Sequence, residues 1–144
     1  MVQDTKSHRV NLTDAQYREL DSHHPKSKAS GPIGKRAEEI VKIYFRKMDP
    51  ACEFRSPPRG ADLDILLSSG KSIVIEVKGT ASIELAWPQL KVSSQDSWKL
   101  LAEKHVPVYR VTDVFGRSPS IYVLTYGEDF TLQAEPRWTF KQVK

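Results

Sequence analysis

Gly60-Ala61-Asp62-Leu63-Asp64-Ile65-Leu66-Leu67-Ser68-Ser69-Gly70-Lys71-Ser72-Ile73-Val74-Ile75-Glu76-Val77-Lys78-Gly79 contains two alternating runs separated by a polar turn. Residues 62–67 and 72–78 repeat with a period of two, which predicts β-strands, and Ser68-Ser69-Gly70-Lys71 predicts the hairpin between them. Successive side chains on a strand point to opposite faces. Leu63, Ile65 and Leu67 therefore share one face of the first strand, and Asp62, Asp64 and Leu66 the other. On the second strand Ile73, Ile75 and Val77 stand opposite Val74, Glu76 and Lys78. Folding the hairpin leaves one face uniformly apolar and gathers carboxylates and an ammonium on the other. Either Asp62 or Asp64 can be the partner of Glu76. Asp64 is the favoured one, because it is expected to lie nearer across a tight hairpin.

Hard divalent cations take oxygen ligands, and Mg²⁺ is commonly held by one or two carboxylates together with substrate phosphate oxygens. Such an ion activates water and neutralises charge during phosphoryl displacement. A lysine two residues beyond the second carboxylate can orient that water and stabilise developing negative charge. The plainer alternative is a solvated strand face carrying a surface ion pair, which is common and contributes little. The clustering of the acids, against so apolar an opposite face, sets the chemical reading level with that alternative.

Upstream, Ala37, Ile40, Val41, Tyr44, Phe45 and Met48 recur at helical spacing, which predicts an amphipathic helix over residues 35–48, ended by Asp49-Pro50. Glu38 falls in the otherwise apolar column Glu38, Val41, Phe45, Met48, whereas Glu39 falls with Lys42, Ile43 and Arg46. An acid in an apolar column wants a partner or a metal. Glu38 is thus the functional candidate, and Glu39 an ordinary helix-pair partner of Lys42. Downstream, residues 56–60 read as a loop, and 83–92 as a third strand that Pro88 marks as an edge or a bulge. A Ser93-to-Asp96 capping box opens a helix with Trp98, Leu101 and Ala102 on one face. Residues 106–111 and 121–126 read as strands, joined through a turn at 116–119. The order helix, three strands, helix, two strands is that of an α/β fold.

Residues 1–33 are polar and read as a flexible N-terminal segment and linker, with a short helix from Thr13 to Leu20 capped by Thr13. His23-His24 reads as a solvated pair, since no further ligands sit at metal spacing. Residues 34–144 form the folded domain. The chain has 144 residues, 39% hydrophobic and 28% charged, which suits one soluble domain with its own core. Its longest apolar runs fall far short of the ~18 residues a membrane helix needs. The polar start and the single cysteine, Cys52, suggest a reducing cytoplasm and leave no internal disulfide or cysteine-based zinc site. Lys and Arg outnumber Asp and Glu by 22 to 18, a mild excess that permits a polyanionic partner.

An Asp, about a dozen residues and then Glu76-Val77-Lys78 resembles the PD-(D/E)XK nuclease superfamily. Gly34-Lys35-Arg36-Ala37-Glu38 resembles the opening helix of its Holliday-junction resolvase branch. Glu76-Val77-Lys78-Gly79-Thr80, followed by Trp98 in the next helix, is similar to restriction-type domains. The resemblance covers roughly residues 34–126. It implies a restriction-endonuclease-like αβββαβ core, a central mixed sheet flanked by helices, and Mg²⁺- or Mn²⁺-dependent hydrolysis of DNA phosphodiesters. Asp62 or Asp64 with Glu76 would hold the metal. Lys78 would position water, and Glu38 would bind a metal-bound water or a second metal. Arg55, Arg59, Gln89 and Lys91 are candidates for DNA contact; Arg137, Trp138, Lys141 and Lys144 in the tail could also grip phosphates and stack bases, but the favoured reading there is Trp138 and Phe140 covering a core edge. At this length a structure-selective enzyme, a homodimer or one part of a larger DNA repair or restriction system is the natural arrangement. The competing reading is a binding module that keeps the fold but cuts weakly.

Overall fold

A computed structural model describes residues 7–133 and 142–143. The tail residues Arg137, Trp138, Phe140, Lys141 and Lys144 lie outside the described residues. The architecture is α/β, with six strands in one mixed sheet: β1 (Ser7–Arg9), β2 (Glu53–Arg55), β3 (Leu63–Leu66), β4 (Ser72–Gly79), β5 (Val108–Thr112) and β6 (Ser120–Leu124). Their spatial order is β1-β6-β5-β4-β3-β2, and β4–β5 is the parallel pair. A parallel pair needs a crossover connection. Here it carries a 3₁₀ turn at Trp87–Gln89 and the short helix α3 (Gln95–Trp98), which continues as a π-helical turn over Lys99–Glu103.

Helix α2 (Ser30–Met48) buries Ala37, Ile40, Val41 and Phe45 against the face that carries Leu63, Ile65, Ile75 and Val77. Fully burying a Val, Leu, Ile or Phe side chain contributes about 1.5–3 kcal/mol, so this helix–sheet contact dominates the core. The helix starts earlier than its periodicity suggests. Ser30-Gly31-Pro32 forms its first turn, where proline is tolerated because that N–H has no partner within the helix. Met48, placed in the apolar column, is 65% exposed. A smaller cluster of Leu101, Val108 and Leu124 forms the second core.

Three elements differ from the sequence reading. Residues 83–92 are not a strand. Ala86 adopts φ +53°, and Pro88 sits in the 3₁₀ turn, where its missing N–H costs nothing. The third strand of the antiparallel meander is instead β2, at its opposite edge. The cap of α3 is Ser94, which accepts from the Ser97 N–H, and Trp98 is 43% exposed rather than packed with the buried Leu101. Finally, residues 7–33 belong to the domain. β1 extends the sheet beside β6, and α1 (Asp14–His23), capped by Thr13 as expected, contributes Leu20 to the core.

Arg36 explains why that polar segment stays docked. It is fully buried, and its Nε donates to the Val114 carbonyl at 2.6 Å. Its Nη1 reaches Asp21 at 2.7 Å and the His24 carbonyl at 2.9 Å, tying α1, α2 and the β5–β6 connection together. Its guanidinium also lies over the Phe115 ring at 4.9 Å.

Candidate active site

The register of the β3–β4 hairpin decides which aspartate meets Glu76. Leu67 and Lys71 close the hairpin, leaving Ser68, Ser69 and Gly70 as a three-residue loop. Such loops place a left-handed residue last, and Gly70 takes that role at φ +90°. The ladder then pairs Leu63 with Ile75 and Asp64 with Val74. Asp62 is brought opposite Glu76, and its own N–H donates to the Ile75 carbonyl at 3.0 Å. Asp62 Oδ2 accepts from the Val77 N–H at 2.7 Å, which fixes its carboxylate just past the end of the β3 ladder.

Asp64, favoured from the sequence as the nearer to Glu76, is not the residue opposite it. It stands one step nearer the turn, where Ser72 Oγ donates to it at 2.6 Å and Arg55 Nη2 reaches it at 3.3 Å. The Ser72 hydroxyl above all, with help from Arg55, holds the Asp64 carboxyl below its ordinary value. Arg55 is correspondingly spent on Asp64 and Ser72.

Glu76 is 4% exposed, and its Oε1 lies 3.3 Å from Lys78 Nζ. Its Oε2 is buried with no hydrogen-bond partner among the described residues. Burial pushes the Glu76 carboxyl above the usual glutamate range. The Lys78 ammonium opposes that rise, the Asp62 charge adds to it, and the Ser97 hydroxyl opposes it. Glu38 is also raised, first by burial; Lys35 opposes the rise and Asp62 adds to it. Asp62 thus stands between the other two acids electrostatically. Glu39 pairs with Lys42 at 3.2 Å, as its column predicts.

Helix α2, which carries Glu38, packs tightly against β4. A Cβ on Gly79 would stand 2.7 Å from the Ala37 Cβ and 3.0 Å from the Ile33 carbonyl oxygen, so only glycine allows the helix this near.

Among the described residues, no three His, Cys, Asp or Glu side chains are assembled as a metal cluster. Two carboxylates remain, Asp62 and Glu76, with the unpartnered Glu76 Oε2. That set fits a hard cation which keeps several waters and draws further ligands from a substrate phosphate. It does not fit a closed protein cage.

Two residues that the sequence reading passed over shape this site. Ser97, 9% exposed, donates to the Gly60 carbonyl at 2.8 Å and so pins the start of α3 to the loop before Asp62. Arg110 pairs in register with Lys78. Its guanidinium donates to the carbonyls of Leu85, Gly79 and Ala86 at 2.8, 3.0 and 3.2 Å. Burial lowers Arg110 to about 10. An arginine in the middle of an apolar strand was a visible signal; its three acceptors were not. Gln89 is not on a strand beside the site. It is exposed in the 3₁₀ turn and accepts from the Thr80 hydroxyl at 2.8 Å. Lys91 lies just beyond that turn, and Arg59 is exposed in the loop before Gly60.

The site is thus an acidic pair with an adjoining lysine, on the sheet face opposite α2. No known protein family matches the chain, and no curated protein or solved structure matches it either.

Proposed function

We propose that this chain is a metal-dependent nuclease that hydrolyses DNA phosphodiester bonds. The observation that carries the reading is the placement of Asp62 opposite Glu76, with Lys78 Nζ 3.3 Å from Glu76 Oε1 and Glu76 Oε2 buried and unpartnered. The element order adds support: α2, the antiparallel strands β2, β3 and β4, then α3 and the parallel strand β5 follow the αβββαβ sequence of a restriction-endonuclease-like core. Asp62 and Glu76 would hold Mg²⁺ or Mn²⁺, which when bound supplies Lewis acidity toward water and phosphate oxygens. Lys78 holds a donor beside Glu76, where it can orient the attacking water and stabilise charge on the phosphate. Glu38, on α2, feels the Asp62 charge and would order water beside it. We place the activity in the cytoplasm, in a homodimer or a larger DNA-processing system. No helix among the described residues is long and apolar enough to cross a membrane.

The direct test is a panel of linear, branched, single-stranded and modified DNAs with Mg²⁺ or Mn²⁺. Cleavage of at least one member, lost in Glu76→Ala, is expected. Failure to cut any of them, with DNA binding retained, would leave a binding module instead.

Calorimetry separates the two aspartates. Asp62→Asn should weaken Mn²⁺ binding about tenfold or more. Asp64→Asn should leave it nearly unchanged, because Arg55 and Ser72 already occupy that carboxylate. The reverse order would restore Asp64 as the ligand. The two glutamates of α2 separate in the same way by rate. Glu38→Gln should slow cleavage about tenfold, in the range for groups that act through ordered neighbours of a metal. Glu39→Gln removes only the pair with Lys42 and should be close to neutral. Equal losses would place Glu38 outside the site.

A further inference from the structure

Beside Lys78 the sheet carries a groove of about 190 Å³ with an apolar lining. Val108 and Leu124 lie along it from the second core, with Leu90, Phe130 and Trp87 around them. Lys78 also lines it, and the same ammonium pairs with Glu76 at 3.3 Å. The groove and the acidic pair therefore meet at one side chain.

We propose that this groove seats a single unpaired nucleobase of a DNA strand whose phosphate lies at the Asp62, Glu76 and Lys78 cluster. The inference rests on the nuclease reading and deepens it, because it makes single-stranded or locally unpaired DNA the substrate class.

Size is the first argument. Pockets for drug-sized ligands run about 300–1,000 Å³, so this one suits one planar ring system. The second is the state of Trp87. It is 45% exposed, yet the chain leading into it is held by Arg110, which donates to the Leu85 and Ala86 carbonyls. A half-exposed aromatic ring at the groove on a fixed backbone is a pre-organised stacking platform. Base–aromatic stacking tolerates any base, because every base offers a π-face. The third argument is charge. A mainly apolar slot with Lys78 and Lys91 in its lining complements a nucleotide, which joins a flat apolar ring to an anionic phosphate. The chain's net charge of +4 favours a polyanion over a neutral peptide. A base inside a duplex cannot enter without leaving its stack, which costs a few kcal/mol and favours strands already unpaired.

The test uses the full chain in EDTA and a single-stranded oligothymidylate carrying one 2-aminopurine. Binding should change the 2-aminopurine fluorescence, and the matching duplex should bind more weakly. Trp87→Ala should weaken binding about five- to hundredfold, as loss of one base stack does. Its salt dependence should stay unchanged, because no phosphate contact is removed. Trp87→Phe should restore most of the affinity, and Leu132→Trp, which fills the groove, should abolish the fluorescence change. Unchanged affinity in Trp87→Ala, or equal binding of duplex and single strand, would overturn the proposal. So would concentration-dependent self-association without any oligonucleotide response, since the groove would then join copies of the chain. The two readings fail separately. A Trp87-dependent signal in a protein that cuts no DNA with Mg²⁺ or Mn²⁺ keeps the groove and removes the nuclease. Cleavage without Trp87 dependence does the opposite.

Discussion

Lys78→Ala is expected to lower DNA cleavage about 10²–10³-fold, the usual cost of losing one preorganised donor to a transition state, while DNA affinity falls only modestly. The neighbouring cation cannot replace it, because the Arg110 guanidinium is committed to three backbone carbonyls. Affinity is expected to be spread over many exposed Lys and Arg residues and should remain steeply salt-dependent. Single-turnover rates and anisotropy titrations measure the two quantities. Lys78 also opposes the upward shift of Glu76. Its removal therefore moves Glu76 ionisation to higher pH, and that share of the loss recovers as pH rises. Full recovery would mean that Lys78 acts only through Glu76. Wild-type cleavage by purified Lys78→Ala at neutral pH would sink the mechanism.

The second large effect is on stability. Arg36→Met keeps much of the side-chain volume but leaves the Val114 and His24 carbonyls without their donor. The Val114 bond is buried and the His24 bond part-buried; an unsatisfied buried acceptor costs about 1–3 kcal/mol, so a loss of about 1–3 kcal/mol, most of it at Val114, is expected, against about 5–15 kcal/mol for a whole domain. Asp21, by contrast, is 47% exposed on its side chain, and Asp21→Asn should cost less than about 1 kcal/mol. Urea unfolding followed by fluorescence gives both values. Equal losses would show that the ion pair, not the carbonyl contacts, holds α1 to α2.

The hairpin and the helix over 35–48 were legible because each presents its apolar side chains at one clean period, and one sheet face or helix stripe buries them. Which aspartate faces Glu76 depended on the turn, not on the strands. Two loop placements differing by one residue exchange Asp62 for Asp64. Only the demand for a left-handed last loop residue, met by Gly70, chooses between them. That demand was written in the sequence and was outweighed by apparent proximity. Strand β2 was hidden for a different reason. Glu53-Phe54-Arg55 is too short to show a period and is followed at once by Ser56-Pro57-Pro58. Ile83, Leu85 and Trp87 alternate as a strand would, yet their segment's carbonyls are satisfied by Arg110, some 25 residues away in sequence. Polar composition likewise made residues 7–33 look detached, when Arg36 and the pairing of β1 with β6 hold them. For residues 83–92 and 7–33 the deciding interaction is long-range, and local periodicity carries no trace of it.

The pairing of β1 with β6 also governs the order in which the chain can assemble. Asn11 and Ser118, just beyond the two strands, meet across 107 positions of sequence. Closing so long a loop is entropically costly, and contacts of high sequence separation form late. During synthesis the first strand emerges long before its partner exists, and it must wait uncommitted. Until it docks, β6 presents an open edge that carries Ile121 and Val123, and such an edge pairs readily with strands of other chains. The polar character of Ser7-His8-Arg9, unhelpful as a sign of structure, keeps the waiting strand soluble and lets it close the sheet without offering a new sticky edge.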